Sequence, residues 1–165
     1  MNAIKNIFET INEYVGRIFA WCTALMVLVI CVDVFMRYAM GQSFIWMIEL
    51  EIYLFALTFL FASGYAFKHD KHVRVDLFYA KWQERGKARV NLIGGLFFLL
   101  PWCVVSIMAC WKYAMTSFRM GETSGQAGGL PALYLLKFCL VMGFVFLLMQ
   151  GIASIIQSIQ TLRKS

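Results

Sequence analysis

Residues 33–76 read DVFMRYAMGQSFIWMIELEIYLFALTFLFASGYAFKHDKHVRVD. An apolar segment ends with Asp33 and Arg37, and a short loop with Gly41, Ser43 and Trp46 follows. A second apolar segment opens with Glu49 and Glu51 and closes in a polar run, Lys68-His69-Asp70-Lys71-His72-Val73-Arg74-Val75-Asp76. Two apolar runs joined by a tight turn, with acids at one end and bases at the other, are the pattern of a membrane hairpin that carries its own orientation signal.

The whole chain agrees. It has 165 residues, 61% hydrophobic and only 15% charged, with a mean hydropathy of +0.71. A soluble domain of this size cannot bury so much apolar surface. A spanning helix needs about 20 apolar residues to cross about 30 Å. Four segments qualify, at about residues 18–38, 44–67, 91–111 and 133–156. Long unbroken apolar runs exclude the alternating strands of a membrane β-barrel. Asp33 and Arg37 replace any small-residue cleavage pattern, so the first span is not read as a cleaved signal peptide. The expected fold is an all-α membrane protein of four transmembrane helices, forming a single membrane domain over residues 1–165.

Basic residues set the expected topology. Of fifteen Lys and Arg residues, eleven lie in residues 1–17, the loop between spans two and three, and the tail; four, Arg37, Lys112, Arg119 and Lys137, lie toward the other side. The positive-inside rule then places both termini and the central loop, with His72, Arg74 and Asp76, in the cytoplasm. The net charge of +6 is therefore topology, and nothing points to nucleic acid.

Residues 1–17 place Ile4, Ile7, Phe8, Ile11 and Val15 at spacings of three and four, opposite Asn2, Lys5, Glu9, Asn12 and Glu13. This predicts an amphipathic helix lying on the inner membrane surface, in contact with lipid or docked on a partner. A second surface helix is expected over residues 75–90, in the cytoplasmic loop before span three. Ser43 is placed to cap span two, and Pro101 to kink span three. Gly64, Gly94, Gly95, Gly143 and Gly151 are candidate points of close helix approach. The outer segment from Lys112 to Pro131 is glycine-rich in its core and expected to be mobile unless a partner orders it.

The chemistry is sparse. The five cysteines form no C-x-x-C pair and read as packing residues without a disulfide. His69 and His72 lie outside the spans and lack the further ligands that a metal or haem site needs. No catalytic, metal or cofactor-binding constellation emerges. What remains is a polar layer near the outer face: Asp33, Arg37, Glu49, Glu51 and Lys137. Asp33 and Arg37, four residues apart, share a helix face. The layer is either an ion or proton path or a paired structure that sets helix register and meets a partner. No carboxylate lies at mid-membrane, where a carrier holds its coupling ion. That favours an accessory membrane subunit over a self-contained, proton-coupled four-helix transporter or a redox membrane enzyme.

Asp33-Val34-Phe35-Met36-Arg37-Tyr38, Ser43, Trp46, Glu49-Leu50, Tyr53-Leu54-Phe55 and His72-Val73-Arg74-Val75-Asp76-Leu77 together resemble the small membrane subunit of tripartite ATP-independent periplasmic (TRAP) transporters. Gly121-Glu122-Thr123-Ser124 and Leu130-Pro131 extend the likeness more loosely. Ile48 and Ile52 stand where that family often has an acid and an arginine, and Glu51 where it is usually apolar. The resemblance implies a scaffold in the bacterial inner membrane, surrounded by lipid, that pairs with a large multi-span permease subunit. That pair takes up an organic acid, such as sialic acid or a C4-dicarboxylate, with sodium, after transient docking of a periplasmic substrate-binding protein. Asp33, Arg37, Trp46, Glu49, Glu51, Tyr53 and Lys137 become candidates for the subunit interface or outer polar layer. Arg119, Glu122, Thr123 and Ser124 become candidates for the docking loop.

Overall fold

The computed structural model describes residues 2–69 and 82–164, with only the backbone at residues 2 and 164. Its helices are α1 (Asn2–Ala39), α2 (Ile45–Lys68), α3 (Glu84–Arg119) and α4 (Leu133–Lys164). All four are long and apolar enough to cross a membrane. Successive helices run antiparallel. One end of the bundle carries the chain termini, and the other carries the turns at residues 40–44 and 120–132. The expected residues His72, Arg74 and Asp76 lie outside the described residues.

The amphipathic start of the chain differs from expectation in two ways. It is not a separate surface helix, because residues 2–17 are the first turns of α1 itself. Nothing in this stretch breaks a helix, and at about 1.5 Å per residue the 38-residue α1 far exceeds the hydrocarbon thickness. Its polar side also faces inward. Asn12 is fully buried, while Ile4, Ile7 and Ile11 are exposed. Glu13 bonds Lys68 Nζ at 2.7 Å and lies 2.8 Å from His69 Nε2, and Lys68 also donates to the Glu9 carbonyl at 3.2 Å. The charges at the end of α2 recruit the charged face of α1, and the isoleucines are left for lipid or a partner.

The second expected surface helix is likewise no separate element where it is described. Residues 84–94 run straight into span three. Between them and Pro101 lies one π-helical turn, Gly95–Leu99, in which the Leu100 N–H reaches back to the Gly95 carbonyl. Pro101 cannot donate to the turn before it, and widening that turn accommodates its ring without ending the helix. At the start of α2 Ser43 is not the cap: Phe44 holds that position and no side chain caps it.

α4 packs against all three other helices, and α1 against α2. Small residues permit this. An added Cβ at Gly143 would press on Leu60, one at Gly151 on Leu99 and one at Gly95 on Ile155. Gly94 is the exception among the expected contact glycines, with nothing within 4 Å. Gly16, which sequence pattern does not single out, lies against the Tyr65 ring. Phe19 stacks on Phe61 with centroids 4.1 Å apart, and Phe61 meets Phe146 of α4 at 5.5 Å. Some hydroxyls inside the helices fold back onto carbonyls one turn earlier, as Thr58 does to Leu54 and Ser158 to Ser154, while the buried Ser117 hydroxyl has no partner. The fold-back satisfies the first two where no water is available.

Gly64 tests this packing. A Cβ there would collide with the Asn12 amide and sit 3.1 Å from the Phe146 carbonyl oxygen. Gly64→Val should destabilise the folded chain by about 1–3 kcal/mol through overpacking. Gly94→Ala should leave stability unchanged or raise it by up to about 1 kcal/mol through helix propensity. Thermal unfolding of both variants in detergent measures the difference.

Candidate functional site: the polar layer at the turn-bearing end

The outer polar residues divide into three arrangements. The first is local to α1. Asp33 is buried, and its Oδ2 accepts a 2.5 Å bond from the half-exposed Arg37, as their spacing predicts. Asp33 Oδ1 has no hydrogen-bond partner.

The second arrangement orders the loop after α3. Glu49, in the second turn of α2, accepts hydrogen bonds from the Ser124 hydroxyl and, at 2.6 Å, from the Leu130 N–H. Ser124 Oγ in turn accepts from the Gln126 N–H at 3.1 Å, and the Ser124 N–H donates to the Leu130 carbonyl at 3.2 Å. Gly129 makes this possible, since a Cβ at that position would strike Ser124 and Glu49. Gly128 supplies a left-handed backbone (φ 82°) just before it. The loop expected to wait for a partner is therefore ordered by the chain's own carboxylate. It is also shorter than expected, because residues 112–119 belong to α3.

The third arrangement ties the same loop to α4. Lys137 is 6% exposed, and its ammonium meets Glu122 at 2.5 Å and lies 3.9 Å above the Tyr113 ring. The Leu133 N–H donates to the Glu122 carbonyl at 3.1 Å. A buried lysine near a membrane surface needs such a counter-charge, and the aromatic face adds a second attractive partner. The Lys137 ammonium holds the Glu122 carboxyl below the ordinary carboxylate range.

The remaining candidates stand apart. Trp46 is exposed, with Phe44 at 6.2 Å. Arg119 and Thr123 are exposed at the loop. Glu51 Oε1 and Tyr53 Oη are buried in α2 without partners. The structure thus gathers Glu49, Glu122, Ser124 and Lys137 around one loop, and leaves Asp33, Glu51 and Tyr53 with open hydrogen-bonding atoms in the α1–α2 hairpin. Among the described residues no group of His, Cys, Asp and Glu could hold a metal, and all five cysteines are free.

The turn-bearing end of this hairpin and the loop fall within the stretch that a known family covers. The family model for tripartite ATP-independent periplasmic transporters, DctQ component, matches residues 26–161. The chain belongs to this family. It is the small membrane component of a TRAP transporter, a transporter subunit and not an enzyme. No curated protein matches the chain closely enough to add a substrate. In this DctQ component the match begins just before Asp33 and takes in Glu49, Ser124 and Lys137. It omits the first 25 residues, where the charged face of α1 turns inward.

Two outcomes follow. Glu49→Ala removes both anchors of the loop and should raise proteolysis and hydrogen exchange over residues 122–130, with a local cost of about 1–3 kcal/mol; Ser124→Ala, which loses one anchor, should do less. Because the folded Glu122 carboxyl is held low, its ion pair adds stability above the ordinary carboxylate pKa and loses it as pH falls through the lowered value. Carboxylate NMR of the protein in micelles should show Glu122 titrating below an unpaired glutamate, and Lys137→Gln should return it to the ordinary range.

Proposed function

We propose that this chain is the scaffold of its transporter, bracing a large permease subunit at the turn-bearing end of the α1–α2 hairpin. The observation that carries this reading is the set of buried polar atoms left open there: Asp33 Oδ1, Glu51 Oε1 and Tyr53 Oη. Buried polar atoms inside a membrane are costly without partners. A second membrane protein seated on the hairpin supplies donors and an acceptor for them. The apolar side chains exposed along α1 and α2, among them Trp21, Phe35, Phe55 and Phe59, give that neighbour a surface to pack on.

The other charges support scaffolding over ion carriage. Glu49 is occupied by the loop, and Lys137 by Glu122 and Tyr113. Neither is available to bind and release a coupling ion without dismantling the loop. Transport chemistry then belongs to the permease subunit, in sodium-coupled uptake of an organic acid delivered by a periplasmic binding protein. The ordered loop with Arg119, Glu122, Thr123 and Ser124 is a preformed docking surface for that protein. The eleven-to-four distribution of basic residues orients both termini toward the cytoplasm of a bacterial inner membrane.

Co-purification from membranes should recover a much larger membrane protein with this chain. Asp33→Asn or Arg37→Gln alone should lower that recovery more than the double change does, because each single change leaves a lone charge at the hairpin. Strictly additive losses would refute the pairing. Sodium-driven uptake of an organic acid by liposomes holding this chain alone would overturn the scaffold reading.

A further inference from the structure

We propose that the terminus-bearing end of the bundle holds a site for one phosphatidylethanolamine molecule of the surrounding membrane. Two cavities adjoin there, the larger reached by all four helices and the smaller between α2, α3 and α4. The larger, about 370 Å³, is polar and lined by Glu9, Lys68, Glu84, Lys87 and Gln150. The smaller, about 250 Å³, is mostly apolar and lined by Val90, Gly94, Gly95, Leu99 and Gly151. They share Phe67, Asn91 and Ser154 as a common wall, so they form one groove with a wet end and a greasy end. A small polar solute has no use for the apolar part, and a hydrocarbon none for the polar part. A phospholipid fills both.

The height of the groove fits a lipid. Phe67, Asn91 and Ser154 lie where α2, α3 and α4 pass from apolar to polar sequence, which is headgroup level in a bilayer. The apolar part continues from there along the π turn toward the membrane centre. Its opening follows from the packing: Gly95 lets α3 lean on α4 at Ile155, and Gly94 beside it puts no side chain into the space.

The lining chemistry selects the headgroup. Two lysines and two glutamates make the polar part neutral, which suits a zwitterion better than an anionic lipid. Gln150 is 4% exposed, and its Oε1 has no hydrogen-bond donor. It lines the polar part, so the occupant must bring an N–H or O–H. The primary ammonium of phosphatidylethanolamine brings one, with Glu9 and Glu84 as counter-charges, while its phosphate meets Lys87. The quaternary ammonium of phosphatidylcholine has no N–H to give, and phosphatidylglycerol has no cation.

Native mass spectrometry of the full-length chain, purified with its membrane partner and supplied with each of the three lipids on identical acyl chains, tests the site. Phosphatidylethanolamine should be retained about tenfold more than phosphatidylcholine, the worth of one charge-assisted hydrogen bond. Gly94→Leu places a side chain at the wall of the apolar part, where an added Cβ meets nothing within 4 Å, and should remove most of the retained lipid while the complex stays assembled. Gln150→Leu should keep a lipid but lose the discrimination between the two headgroups. Should Gln150→Leu fail to assemble, the Gly94→Leu result decides alone. Equal retention of all three lipids, preference for phosphatidylglycerol, or an unchanged lipid load in Gly94→Leu would each overturn the proposal. So would a photoreactive residue at position 94 that labels a protein instead of lipid, because the groove would then be a subunit interface.

Discussion

Inside a bilayer every polar atom must find its partner within protein, and this chain is organised by that rule. Glu49 is the clearest case. Its carboxylate could have faced water at the membrane surface. It instead takes the Ser124 hydroxyl and the Leu130 N–H, and so draws the thirteen-residue loop at 120–132 down over the start of α2. Lys137 does the same from α4 through Glu122. The two contacts hold the loop from opposite sides, and the one from Glu49 joins the two hairpins at their turn-bearing ends.

The rule also separates what the chain completes by itself from what it leaves open. At the loop, charges are paired. Asp33, Glu51 and Tyr53 in the α1–α2 hairpin and Gln150 nearer the termini keep buried atoms without partners, as do Asn12 Oδ1 and Ser117 Oγ inside the bundle. Where such atoms lie beside an exposed apolar surface or a groove, another molecule can complete the structure. The hairpin atoms lie among large exposed apolar side chains and suit a protein neighbour. The Gln150 amide lies in a groove with one polar and one apolar end and suits a lipid. The same accounting underlies the two occupants proposed for the two ends of the bundle.

Some of this was legible before any coordinates. Asp33 and Arg37 lie four apart on one helix, so their pairing needs only helical geometry. Gly64, Gly95, Gly143 and Gly151 are close-approach points as their placement in apolar spans suggests. Gly94 is not, although it neighbours Gly95, because the two point in different directions around α3 and only Gly95 meets α4. The N-terminal amphipathic pattern is real, but the pattern alone does not say what its polar face meets. Apolar residues at a water boundary normally turn inward, whereas here Asn12 and Glu13 turn inward to meet α2, and Ile4, Ile7 and Ile11 turn out. Periodicity reports that a helix has two faces and does not report which one its neighbour wants.

The sequence by itself determined four apolar helices, the charge asymmetry between their ends and the family, since these depend on residues near one another along the chain. Only the tertiary structure decided that Glu49 binds residues 75 and 81 positions away, that the glycine-rich loop is ordered by the chain itself, and that Gln150 lines a groove reached by all four helices. Those contacts join segments far apart in sequence. Their energies come from how desolvated each polar atom becomes and which atoms it can then reach, and both are set when the helices pack.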